Sequence, residues 1–340
     1  MKPLKPRERD AVIQSLRAGV VPRMGQQLIQ VGRVRELEAM LVDIDRVADS
    51  GSSFRLVIGE YGAGKTFFLN LIRAIAMERK LVTIHADLNP DRRLHATGGQ
   101  ARSLYSELTK NLSTRVKPEG GAMSGVVEKF IGLAATEAKA AGNPTAQVIR
   151  EKLSVLTELV NGYDFAEVIA IYCEAFEAGD DVKKADALRW LRGEFSTKTE
   201  ARQALGVRAI IDDDAIYDQI KLLARFIRLA GYSGLLVCLD EMVNLYKLAN
   251  TQARQANYEQ ILRILNDSLQ GSAEGLGIVM GGTPEFLLDT RRGLYSYQAL
   301  QSRLAENTFA KTGLVDYSGP VLRLTSLTQE DFFILLTKIR

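Results

Sequence analysis

Three observations predict an α/β fold built on a parallel sheet for this 340-residue sequence. Residues Gly59-Glu60-Tyr61-Gly62-Ala63-Gly64-Lys65-Thr66 read G-x-x-x-x-G-K-T. An apolar run at 54–58 stands directly before this octet, and 67–76 follows it with helical spacing. A third signal lies far downstream, where the apolar run that begins at Leu235 ends in Asp240-Glu241. Strand, glycine loop and helix in that order is the setting a phosphate-binding P-loop requires.

The elements follow in order. Residues 8–50 read as a helical lead-in, broken at Gly19-Val20-Val21-Pro22. Val31-Gly32-Arg33-Val34-Arg35-Glu36-Leu37 then opens a helix running towards Asp49. After the P-loop helix, residues 81–88 are apolar and β-branched, a second strand stopped by Asn89-Pro90. Residues 100–112 read as helix, and Lys117-Pro118-Glu119-Gly120-Gly121 breaks the chain.

From there to about residue 200 the pattern is helix after helix. Asn143-Pro144 reads as an N-cap with proline in the first turn, and Asn161-Gly162 as the end of that helix. Asp164 is the expected cap of 165–178, and Asp180 or Asp181 that of the next helix. The stripe Val148, Leu153, Leu156 and Leu159 is expected in the core. A long amphipathic helix at 214–230 leads back to the sheet. Residues 234–241 form the next strand, about 252–270 a helix, 276–283 a fourth strand and 321–324 a fifth. A helix opens at Gln329, and the sequence stops inside it at Arg340. The expected organisation is a lead-in at 1–50, a P-loop core at 51–116 and 205–325, and an all-helical insertion at 117–204. Residues 326–340 would begin a C-terminal lid that continues further.

Composition excludes several classes. Hydrophobic residues are 46% and charged residues 25%, enough for a large core, in a chain with room for two domains. A net charge of +3 imposes no overall field towards nucleic acid or membrane. Cys173 and Cys238 do not make a disulfide framework, so a reducing, cytoplasmic setting is expected. The first ten residues lack the apolar core of a signal peptide, and no run approaches membrane-spanning length. His85 and His95, with two distant cysteines, do not supply a zinc site.

The chemistry concentrates at two places. The glycines let backbone N–H groups turn inward around phosphates, and the helix N-terminus adds partial positive charge. Lys65 is expected to reach the β- and γ-phosphates of ATP, and Thr66 to hold Mg²⁺. An acidic pair by itself is most often strand-end solvation. Placed after five apolar residues in a chain with a P-loop, it reads as a Walker B strand. Asp240 is then the second Mg²⁺ residue. Glu241 is the group that orients the attacking water, which favours hydrolysis over transfer to a small acceptor.

With a strand between the P-loop strand and the acidic strand, the chain resembles AAA+ ATPases of the origin-recognition-like type, in the additional-strand, catalytic-Glu division. That resemblance makes Gly32-Arg33 an adenine-side motif and puts Thr283 in the place of the sensor-1 residue. It makes Arg303 an arginine finger acting on a neighbouring subunit's nucleotide, with Arg291-Arg292 as the competing pair. Plain N-capping before Pro284-Glu285 explains Thr283 equally well. A surface ion pair is the ordinary alternative for Arg303.

Further stretches narrow the resemblance: Ala86-Asp87-Leu88-Asn89-Pro90, Leu104-Tyr105, Asn257-Tyr258-Glu259, Gly281-Gly282-Thr283-Pro284-Glu285, Arg291-Arg292-Gly293-Leu294-Tyr295-Ser296-Tyr297 and Leu324-Thr325-Ser326-Leu327-Thr328. With the Gly19 break, Gly32-Arg33 and the acidic strand, these are similar to the BREX-type P-loop ATP-binding proteins of bacterial anti-phage islands. The resemblance spans nearly the whole chain. It implies an oligomeric ATPase that drives or licenses a defence complex acting on DNA. Partners in such clusters include TerB-like proteins and DEAD/DEAH-type helicases. Two other classes stay open on the sequence: a slow-turnover STAND-like switch and a DNA-loading or replication-initiator ATPase. Lys183-Lys184, Arg189 and Arg192 make a modest basic face that reads as solvated helix rather than DNA surface.

Overall fold

A computed structural model describes residues 6–18, 20–22, 25–305 and 316–339. The predicted break at Gly19 and the end at Arg340 lie outside these residues. Among them the sheet has five strands: β1 (Ser52–Ile58), β2 (Leu81–Asp87), β3 (Gly234–Asp240), β4 (Leu276–Gly282) and β5 (Val321–Arg323). Their order is β2-β3-β4-β1-β5, and every pairing is parallel. All residues of β1, β3 and β4 are buried. Strands covered on both faces read as near-continuous apolar runs, which is why the sequence showed them.

Alternate side chains enter opposite layers. Val57, Leu236, Cys238 and Val279 pack against helices Val34–Ala48 and Lys65–Glu78 through Met40, Ile44, Phe68 and Ile72. Leu56, Ile58, Ile84, Val237 and Ile278 face the other layer, with Leu104, Phe226 and Ile261. The helices between Met123 and Leu205 join this second layer rather than building a separate core. Phe165 meets Phe226 edge-on at 6.0 Å and Trp190 at 6.5 Å.

Several boundaries differ from the sequence reading. The helix after Asn143-Pro144 is Thr145–Ser154, capped from Pro144, so Asn143 is not its N-cap. It ends at Ser154, and turns fill 155–161. Asn161, left-handed at φ 61°, starts the helix Gly162–Ala178 instead of closing the earlier one, and Asp164 lies in its first turn. Gly162 sits against the Leu156 carbonyl with no room for a Cβ. Once the helical turn is lost, the stripe loses its register. Val148, Leu153 and Leu156 are buried, but Leu159 is 38% exposed. Asp180 is the cap of the following helix, accepting from Lys183 N at 2.9 Å.

The helix expected at 214–230 runs Ile216–Leu229, preceded by a 3-10 turn at Asp213–Ala215. Asp213 is held out of it, because its carboxylate accepts from Gly99 N and Arg102 N at 2.6 and 2.8 Å. Three residues of the basic face are ion-paired: Lys184 to Asp181, Arg189 to Asp186 and Glu200, Arg192 to Glu194. No helix among the described residues is long and apolar enough to cross a membrane.

Parallel pairing brings the C-terminal ends of β1, β4 and β3 to one edge. Ile58 is opposite Gly282, and Leu239 opposite Met280. Crevices at such edges are where open α/β sheets bind ligands.

Candidate functional site

The glycine octet leaves β1 at this edge. Gly62 and Gly64 have φ of 80° and 76°, a left-handed backbone that costs side-chain-bearing residues roughly 1 kcal/mol or more. The helix Lys65–Glu78 begins at Gly64 with no side-chain cap. Its first N–H groups therefore stay free at the mouth of the loop, the arrangement that suits an anion. Lys65 Nζ donates to Gly59 O at 2.8 Å and Glu60 O at 3.0 Å. The lysine thus bends back over its own loop. Tyr61 is 96% exposed at the rim. Uncapped amides and a lysine ammonium fit a polyphosphate.

Thr66 and Asp240 meet. The threonine Oγ1 donates to Asp240 Oδ2 at 2.7 Å. The other carboxylate oxygen accepts from Glu241 N at 2.8 Å. Asp240 is buried, and a Cβ on Gly281 would stand 2.5 Å from its Oδ1. A hydroxyl beside a carboxylate at a polyphosphate loop is a donor set that fits Mg²⁺, which takes few protein oxygens and keeps waters and phosphate. No cluster of three or more His, Cys, Asp or Glu suited to a metal exists among the described residues.

Glu241 stands outside the strand that was expected to include it. β3 ends at Asp240, and Glu241 turns away at φ 57°, exposed to solvent. A left-handed non-glycine residue is uncommon and tends to occur at functional turns. Beyond it, Met242 N donates to Gly281 O at 3.0 Å and Asn244 Nδ2 to Leu88 O at 2.8 Å, tying this turn to β4 and the end of β2. Asp87 is the register partner of Asp240 in β2. Desolvation, then the Asp240 carboxylate, raises its pKa. Behind it, burial and the Arg73 guanidinium push His85 down to about 3, so that imidazole is neutral.

Beside the loop is a cavity of about 460 Å³. Three distant segments wall it: Val21, Pro22 and Ile29; Ala63 and Phe67; Leu327 and Leu335. Its apolar lining and position suit a nucleobase. Arg33 also lines it, left-handed at φ 57°, donating to Ala63 O and, at 3.4 Å, to Thr325 O. Burial lowers the Arg33 pKa, against the opposing pull of Glu36 and Asp331. Gly32 does not line the cavity; it lies against the Asp331 carboxylate. The apolar walls were missed in the sequence because no single stretch contains them.

The remaining candidates sit apart. Thr283 follows β4, and its Oγ1 accepts from Phe286 N at 3.4 Å as the cap of Pro284–Leu288. Arg303 is exposed on the helix Gln298–Leu304, donating to Ala299 O at 2.9 Å. Arg292 donates to Tyr246 O and Leu248 O, which braces the segment after Glu241.

Compared with known proteins, residues 4–340 match the family model described as BREX system ATP-binding protein BrxC/D. No curated protein matches the chain.

Proposed function

Because the chain belongs to the family of BREX system ATP-binding proteins, a defence-associated ATP-binding family, we propose that it hydrolyses ATP with Mg²⁺ to power or license a complex acting on DNA. The observation that carries this reading is the 2.7 Å bond from Thr66 to Asp240, with Glu241 turned out one residue later. The loop amides of 59–66 and Lys65 hold the triphosphate. Thr66 and Asp240 hold the cation, which neutralises charge on the phosphates. Glu241 holds the attacking water and takes its proton. Arg33 lies between base pocket and loop. Thr283, the residue after β4, is read as a second polar group for the γ-phosphate or the attacking water, besides capping Pro284–Leu288.

The order β2-β3-β4-β1-β5 puts β4 between the P-loop strand and the Asp240 strand, which supports an AAA+ arrangement. In that arrangement Arg303 acts on the nucleotide of a neighbouring copy, and the working form is a homo-oligomer. Residues 51–116 and 205–325 are the ATPase core, and 117–204 its helical insertion. The test is phosphate release with Mg²⁺ or with EDTA, each with and without double-stranded DNA. Mg²⁺-dependent turnover that DNA raises supports the reading. Tight ATP retention without turnover would sink it and favour a switch.

A further inference from the structure

The cavity beside the P-loop is closed by two ends of the sequence at once. The segment before Val34 forms one wall, and the helix Gln329–Ile339 brings Phe332 and Leu335 to another. That helix is largely exposed, with Phe333 at 73% and Leu336 at 67%, so little buried area holds it in place. Its first turn is capped from within. Thr328 and Asp331 form a reciprocal cap: Thr328 N and Oγ1 each donate to Asp331 Oδ2 at 2.9 Å, and Asp331 N donates to Thr328 Oγ1 at 3.1 Å. The carboxylate so fixed sits on Gly32, where a Cβ would be 2.9 Å from Oδ1. Asp331 is held below the usual carboxylate range by the Thr328 N–H and hydroxyl, with Arg33 adding its charge. In the last turn of the helix, Lys338 Nζ donates to Gln30 O at 2.5 Å.

Arg33 connects this contact to the loop. Its guanidinium donates to Ala63 O and lies against Gly64, 3.3 Å from where a Cβ would be, while its buried Nε has no partner. The path from the cavity runs through its lining residue Arg33 and then Gly32 to Asp331 and the helix.

We propose that Asp331 is a positioning residue that docks the helix Gln329–Ile339 onto Gly32-Arg33, and that this docking is coupled to occupation of the base pocket. The inference rests on the reading that the P-loop binds ATP. A base in the cavity contacts the wall the helix supplies, so it stabilises the docked helix. By reciprocity, weakening the dock weakens ATP. A ligand with phosphates but no base leaves the helix indifferent.

The test compares ATP with inorganic tripolyphosphate by calorimetry, alongside amide hydrogen exchange across 329–339. Two variants break the dock independently: Asp331→Ala removes the carboxylate, and Gly32→Ala pushes a methyl group into it. Each should weaken ATP by about five- to tenfold, the low end of allosteric coupling, with tripolyphosphate affinity unchanged. In the unmodified protein ATP should slow exchange across 329–339, and tripolyphosphate should not. Equal weakening of both ligands, or ATP affinity unchanged in both variants, overturns the proposal, as does exchange indifferent to ATP. A wild-type protein that binds neither ligand overturns the ATP reading itself, and the inference with it.

Discussion

The Thr66 hydroxyl and the Asp240 carboxylate are bonded at 2.7 Å although 174 residues separate them in the chain. Thr66 is fixed by the first turn of its helix. Asp240 is fixed by the last position of a buried strand two places away in the sheet. Their separation is therefore set by the sheet's register, and each can be tested through the other.

Lys65→Ala should weaken ATP binding by about 2 kcal/mol, the scale of a hydrogen bond to a charged group, or roughly thirtyfold. The folded protein already holds this ammonium on carbonyls alone, Gly59 O and Glu60 O, so removal leaves no buried carboxylate unpaired. Calorimetric titration with ATP reads the loss. Unchanged affinity would leave the loop as an ordinary turn.

Glu241→Gln should separate chemistry from binding. The side chain is exposed, and the Thr66–Asp240 bond is made without it, so affinity should stay within several-fold. Turnover should fall about 10²-fold or more, the scale of a lost positioned base. Normal turnover would put the base elsewhere.

Arg303→Ala should leave ATP binding intact and cut hydrolysis, with about 10³-fold or more as the range for an arginine finger. Specific activity of the unmodified protein should rise with concentration. Mixing Arg303→Ala with Glu241→Gln subunits should restore activity, since some interfaces then pair an intact base with an intact arginine. Co-assembly without recovery would confine Arg303 to its own subunit.

Asp43→Ala should destabilise the fold by about 3 kcal/mol, the cost of leaving one partner of a buried ion pair alone. Arg55, in the middle of β1, pairs with Asp43 at 2.7 Å, and both are buried. Arg55 also donates to the carbonyls of Tyr317 and Gly319, so the same loss should loosen the approach to β5. Urea denaturation measures it; a change below about 1 kcal/mol would mean that water replaces the carboxylate.

Acid should unfold the protein partly through His85. Its folded pKa is depressed to about 3 by burial and Arg73, while an unfolded histidine titrates near 6.5. Between those values the unfolded chain binds the extra proton, so stability falls as pH drops below about 6.5. The loss by pH 5 should be about 1–2 kcal/mol. His85→Gln should flatten that part of the stability–pH curve; an unchanged slope would assign it to carboxylates.

What the sequence by itself determined is local. The octet 59–66 carries its strand and helix on either side, because a phosphate loop is made by consecutive backbone groups. The strands were legible because burial on both faces leaves β1, β3 and β4 as near-continuous apolar runs, with Arg55 the one charged interruption inside β1. Helix ends were less legible. Asn161 and Gly162 start a helix where turn residues suggested a stop, since the close approach to Leu156 dictates the choice and no neighbour in sequence reveals it. Only the tertiary structure decided that β4 lies between β1 and β3, that Thr66 meets Asp240, and that Gly281 must lack a Cβ for that carboxylate to fit. It also decided that Val21, Phe67 and Leu335 face one cavity, and that Gly32 lies against the Asp331 carboxylate outside that lining. The physical reason is range. Periodicity and loop chemistry act over a few residues, whereas strand order, register and cavity walls come from packing between segments hundreds of residues apart.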